Sequence, residues 1–190
     1  MPIGLVMSEV RATKARLFFL LIFYANFNLA ADCTLDILLT SQAEIDEFAC
    51  DAGGTFAAGN LTIDDAIEYE IRNVNGLRVL TRVGGDLIIR NNNALKTIES
   101  LVGILEVGGD LIIEDHLQLR NIDGLSSLTT IGNDLVLRTN YGLDNIKGLS
   151  SLLSIGNDLI IQENDVLQNV NGLNLIETTA GDLVIRDNSL

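Results

Sequence analysis

Between residues 84 and 190 the chain repeats one phrase of hydrophobic and polar positions every 24 residues. Asp86, Asp110, Asp134, Asp158 and Asp182 are evenly spaced without insertion, and an apolar triplet follows each, as in Asp86-Leu-Ile-Ile89 and Asp134-Leu-Val-Leu137. Counted from each aspartate as position 0, apolar residues recur at positions 1, 3, 9, 12, 15, 18 and 21, as in Leu135, Leu137, Leu143, Ile146, Leu149, Leu152 and Ile155. Position 6 carries Asn92, His116, Asn140, Asn164 and Asn188; position 14 carries Ser100, Gly124, Gly148 and Gly172. An earlier, imperfect repeat starts at Asn60-Leu-Thr-Ile63, two residues out of step.

Alternation at positions 1 and 3 describes a short strand with those side chains inward, and the spacing of three that follows turns one apolar residue inward at every bend. No stretch carries a long helical stripe. Each repeat is therefore expected to close around its own core, with successive strands stacked in parallel about 4.8 Å apart. The predicted fold class is mainly β, a leucine-rich solenoid of 24-residue coils over residues 59–190. A single coil cannot bury its apolar face alone, so the stacked column of Leu and Ile, at about 25 cal/mol per Å2 of buried apolar surface, is the dominant stabilising term.

Residues 1–31 read as a signal peptide: basic Arg11, Lys14 and Arg16, an apolar run from Leu17 to Ala25, then small residues at Ala30 and Ala31. Met7 is an alternative start. A retained membrane anchor is the rival, against which stands the requirement of about 20 apolar residues to span a bilayer. A lipid anchor on Cys33 is disfavoured by Asp32, where a small residue is required. Export bears on the two cysteines, Cys33 and Cys50, because an oxidising compartment lets them pair. Ser41 followed by Glu44 is a capping-box start for a short helix between them. Residues 32–58 are thus expected to be an N-terminal cap, a helix stapled by one disulfide. A redox or metal pair has little support, since the spacing is not Cys-x-x-Cys and no His or third Cys lies nearby.

Charge narrows the partners. The 190-residue chain has a formal charge of −14, and without residues 1–31 it retains 9 basic and 25 acidic residues, Arg11, Lys14, Arg16 and Glu9 having gone. Such a chain repels the phosphate backbone, so no nucleic-acid partner is expected. No cofactor motif is present, and the mature chain is expected to have no membrane span.

The string Ile131-Gly-Asn-Asp-Leu-Val-Leu-Arg-Thr-Asn140-Tyr-Gly-Leu143-Asp-Asn-Ile146-Lys-Gly-Leu149 resembles the receptor L-domain group of leucine-rich β-helices, found in receptor ectodomains, fungal cell-wall proteins and bacterial surface proteins. The likeness covers roughly residues 34–190. It implies a right-handed parallel β-helix, secreted or cell-surface placement, and recognition on a sheet face without enzymatic chemistry. The Cys-rich modules, membrane span and kinase of the receptors have no counterpart here, so the resemblance does not extend to a signalling receptor.

Five aligned aspartates suggest calcium, which takes six to eight oxygen ligands. The simpler reading is that each aspartate bonds backbone N–H groups in the turn that starts its strand, the Gly or Asn before it signalling a left-handed turn. No metal site is therefore assigned. The Asn row reads as a buried amide ladder. His116, the sole histidine, has Asp115 beside it but no nucleophile and no orienting third group, so no catalytic residue is assigned and the chain is not expected to be an enzyme. A polysaccharide-active β-helix enzyme is the catalytic alternative; it would need clustered acids and long loops between coils. The Thr residues form no ice-binding ladder.

Position 2 points away from the core, yet holds Ile88, Ile112, Val136, Ile160 and Val184, with Arg90, Glu114, Arg138, Gln162 and Arg186 at position 4. Strands facing water usually place polar residues there. Either the β-branched residues simply suit a strand and are covered by neighbours, or the stripe is an interaction surface. The second reading makes the chain a secreted or cell-surface recognition and adhesion module for an extracellular protein or glycan, or for a second copy of itself. The alternative is a structural wall or matrix protein. The chain stops part-way through its last repeat, so a longer repeat protein, or self-association through that open end, is expected. Asn60-Leu-Thr62 is a candidate glycosylation sequon.

Overall fold

The computed structural model describes residues 33–49, 55–65 and 70–189. The expected signal peptide, residues 1–31, and Cys50 lie outside the described residues. Among those described, the protein is mainly β, with two parallel sheets and one short α-helix.

The larger sheet has seven strands: β1 (Ile37–Leu39), β3 (Leu61–Asp64), β5 (Leu87–Arg90), β7 (Leu111–His116), β9 (Leu135–Asn140), β11 (Leu159–Gln162) and β12 (Leu183–Arg186). They pair in parallel in sequence order, and the register places Leu61, Leu87, Leu111, Leu135, Leu159 and Leu183 side by side. The two-residue slip read at Asn60 appears as the pairing of Leu61 with Leu87. The smaller sheet joins β2 (Phe56–Ala57), β4 (Arg82–Val83), β6 (Glu106–Val107), β8 (Thr130–Ile131) and β10 (Ser154–Ile155), also in parallel. Between the two sheets each repeat makes a short 3-10 turn, such as Asp123–Leu125 or Lys147–Leu149, that carries one leucine inward.

The apolar positions form one continuous core. Leu135, Leu137, Leu143, Ile146, Leu149 and Leu152 have no exposed surface, and Ile155 retains 3%. Positions 1 and 3 of β12 are more open: Leu183 is 62% and Ile185 38% exposed.

Three features depart from the sequence expectation. Residues 37–39, assigned to a cap, form the first strand of the large sheet, with Ile37 opposite Leu61. Behind that strand the cap helix Gln42–Asp46 does form: Ser41 Oγ accepts the Glu44 N–H at 3.2 Å and Ile45 is buried. The return contact of the box slips by one residue, Glu44 Oε2 accepting from Thr40 N at 2.7 Å rather than from the N-cap amide. The second departure is the smaller sheet, whose two-residue strands are too short to show alternation.

The third concerns glycine. None of the glycines before the aspartates occupies the left-handed region, nor do Asn133 and Asn157. They are small because successive repeats touch through their backbones: a Cβ on Gly132 would stand 2.0 Å from Gly108 O, and one on Gly156 1.9 Å from Gly132 O. The left-handed residues are instead the non-glycine row at position 5, Asn91, Asp115, Thr139, Glu163 and Asp187, with φ between 55° and 60°. Each resets the strand alternation by one step, so position 5 points outward and position 6 inward. The cost of such a conformation, about 1–2 kcal/mol per residue, is offset by what it buries next.

Candidate functional site

The residues reset inward are the amide row. Asn92, His116, Asn140 and Asn164 have no exposed surface. Each asparagine reaches back to the preceding strand, Asn140 Nδ2 to Ile113 O at 2.9 Å and Asn164 Nδ2 to Leu137 O at 3.0 Å. From Asn140 onward each also accepts from the repeat before it, Asn164 Oδ1 taking both N and Nδ2 of Asn140 at 3.2 Å, whereas Asn92 Oδ1, at the start of the row, is buried without a partner. Because Asn140 Nδ2 is committed to carbonyl acceptors, its Oδ1 faces His116 Nδ1 at 2.9 Å and can only accept. His116 is therefore protonated on Nδ1, and its bare Nε2 looks toward Asn92 Nδ2 at 3.5 Å. Burial, partly opposed by the Asn140 hydrogen bond, lowers the His116 pKa to about 4. The imidazole is a neutral rung of the ladder with both nitrogens occupied by amides.

The aspartate row is a second ladder, on the outside. Asp86 Oδ1 accepts the Asp110 N–H at 2.9 Å, Asp110 Oδ1 that of Asp134 at 3.0 Å, and Asp134 Oδ1 that of Asp158 at 3.0 Å. The partner is the equivalent aspartate one repeat later rather than the turn of the same repeat. Asn60 belongs to this row: its Oδ1 accepts the Asp86 N–H at 2.7 Å, and its own N–H is held by Asp36 Oδ1 at 2.8 Å. The sequon asparagine is thus a rung of the outer ladder. Among the described residues no group of three or more His, Cys, Asp or Glu is placed to hold a metal ion.

The stripe Ile88, Ile112, Val136, Ile160 and Val184 lies across the outer face of the large sheet, each residue opposite the next and each half-buried. The register extends it to Thr62 and to Leu38, which is 54% exposed. Beside it the position 4 side chains pair along the sheet: Arg90 Nε with Asp64 at 2.8 Å, Arg138 Nε with Glu114 at 2.6 Å, and Arg186 Nη2 with Gln162 Oε1 at 3.0 Å. Asp64, which completes this row, was missed from sequence because it sits in the out-of-step repeat. Burial first, and then the charge of Glu114, raise the neighbouring Asp115 carboxyl above the ordinary aspartate value. The structure thus brings all ten candidate binding residues onto one face. Comparison with protein-family models, curated proteins and solved structures finds no match.

A cleft of about 430 Å3 opens on the other sheet, beside β10, lined by Leu153, Ser154, Ile155, Leu175 and residues 177–180. Its cause is local. Where the other repeats place an aliphatic residue and then glycine, this one has Thr179 and Ala180. The methyl of Ala180 has no room in the tight backbone stack, and only a single bridge, Ile155 with Thr179, replaces a strand pair. The hydrogen bond that Gly156 N makes to Ile131 O is not repeated at Ala180.

Of the two cysteines, Cys33 is buried at the start of the described chain, 8% exposed. No helix among the described residues is long and apolar enough to cross a membrane.

Proposed function

We propose that this chain is an exported leucine-rich solenoid of the receptor L-domain type that serves as a non-enzymatic recognition module in the medium or at the cell surface. A protein or glycan partner would engage the outer face of the large sheet. The observation that carries the reading is the stripe of five aliphatic residues on a solvent-facing sheet, flanked by charged side chains, a composition that marks interaction surfaces. The strands supply a rigid platform for it, because every side chain of the face stands on a hydrogen-bonded ladder. Export belongs to the same reading, and with it a Cys33–Cys50 disulfide. Peptide mapping without reductant tests the pairing, and N-terminal sequencing of material in the medium tests removal of residues 1–31.

The recognition claim is tested with Val136→Asp, which places a charge in the middle of the stripe without entering the core. Binding to a glycan array or to a panel of extracellular proteins is expected to disappear while circular dichroism and melting temperature hold. A folded variant that binds as the parent does would refute the face as the site.

A further inference from the structure

We propose that the partner of this face is a second copy of the chain, docked sheet to sheet about a two-fold axis running along the apolar stripe; the proposal rests on the reading of that face as the recognition surface. The stripe lies midway between two rails. On one side stand Asp86, Asp110, Asp134, Asp158 and Asp182; on the other stand Arg90, Glu114, Arg138, Gln162 and Arg186. The first rail carries five negative charges; the second sets three arginines against Glu114, with Asp64 paired to Arg90 at its end.

Rotation about the stripe reverses strand direction and leaves each repeat opposite its own copy, so position 0 faces position 4 and the stripe faces itself. Asp86 then meets Arg90, Asp134 meets Arg138, Asp182 meets Arg186 and Asp158 meets Gln162. The one mismatch, Asp110 against Glu114, falls on a glutamate already tied to Arg138 at 2.6 Å. Most of the groups that would pair keep a free atom; Arg186 already bonds Asp187 through Nη1 at 2.9 Å and Gln162 through Nη2 at 3.0 Å, and would share these with the incoming aspartate. Asp86, Asp110, Asp134 and Asp158 spend Oδ1 within their own ladder, which leaves Oδ2. Arg90 and Arg138 bind their carboxylates through Nε, which leaves the terminal guanidinium nitrogens. The other two-fold that would stack these faces, along the strands, sets aspartate rail against aspartate rail. Electrostatics therefore selects one orientation, as complementary rails do in protein interfaces.

Size sets the strength. Five strands spaced about 4.8 Å apart, and four residue steps of about 3.3 Å along each, give a face of roughly 19 by 13 Å. That is about 250 Å2 on each partner, well below the face of a stable dimer, so the pairing is weak and belongs at about a hundred micromolar or above.

Sedimentation equilibrium of the full chain, up to several hundred micromolar, is the test. A concentration-dependent dimer is expected. Asp182→Arg and Arg186→Asp should each weaken it about tenfold, by creating two like-charge contacts. An equimolar mixture of the two variants should recover the parental affinity as a heterodimer, since the Asp182→Arg side chain of one would face the Arg186→Asp side chain of the other. Among the described residues the Asp182 carboxylate accepts no hydrogen bond, so the ladder survives the change. A parent that stays monomeric, or a mixture no stronger than either variant alone, overturns the proposal. A monomeric parent that still binds a foreign protein or glycan, with binding lost in Val136→Asp, would retain the recognition face and refute only the second copy.

Discussion

His116 makes the stability of this protein sensitive to acid in a way that one substitution should remove. In the folded state the imidazole is wholly buried, donates from Nδ1 to Asn140 and presents Nε2 to an amide donor of Asn92. A second proton on Nε2 would face an N–H group in a medium that cannot hydrate it. Its pKa accordingly falls from 6.5 to about 4. Above pH 6.5 histidine is neutral whether the chain is folded or not, and the full stability is present. As pH falls below 6.5 the unfolded chain takes up the proton and the folded one does not, so stability declines until the folded imidazole is itself protonated near pH 4. At about 1.4 kcal/mol per pH unit, the decline attributable to this one group is about 3 kcal/mol. Urea denaturation at pH 7.5 and at pH 4 measures it, with His116→Asn as the reference. Asparagine is what the other repeats carry in this row, so the variant should fold, complete the amide ladder and lose about 3 kcal/mol less on acidification. The carboxylates contribute equally to both proteins and cancel in the difference. Equal losses in the two would refute the argument.

Gly132→Ala should cost about 2 kcal/mol or more in chemical denaturation, because its methyl would meet the Gly108 carbonyl at 2.0 Å and push two repeats apart; a change under about 0.5 kcal/mol would show that the stack can give. Asp110→Asn should be nearly neutral, since Asn60 already fills an equivalent rung through Oδ1, whereas Asp110→Ala strands the Asp134 N–H and should cost about 1–3 kcal/mol. Loss of stability in the asparagine variant would mean that charge, rather than the acceptor, matters in the row. Replacing Thr179 by Ile together with Ala180 by Gly should close the cleft beside β10, raise stability by about 1–2 kcal/mol and slow amide exchange across residues 177–180; unchanged exchange there would count against the steric account.

Parts of this were legible in the residues, and the rest was not for identifiable reasons. Burial follows directly from a period of 24 residues, so the inward residues from Leu135 to Ile155 could be named position by position. The strand Ile37–Leu39 was legible too, since Asp36-Ile-Leu-Leu39 has the same signature 24 residues before Asn60; the nearby cysteine and capping signal drew it into a cap. The two-residue strands of the smaller sheet carry no periodic signal at all. Glycine before aspartate misled because the same residue answers two needs, a positive φ or a close backbone approach, and only the spacing of neighbouring repeats tells them apart.

The sequence alone determined the repeat length, the inward rows, the buried amide row and the candidate face, because each is a pattern along the chain that every repeat must obey. Tertiary structure decided what lies between repeats. It selected the aspartate of the next repeat as each carboxylate's partner, placed Asn60 in that row, fixed the His116 proton on Nδ1 and opened the cleft at Ala180. These are contacts between residues some 24 positions apart, and their geometry exists only once one repeat packs against the next.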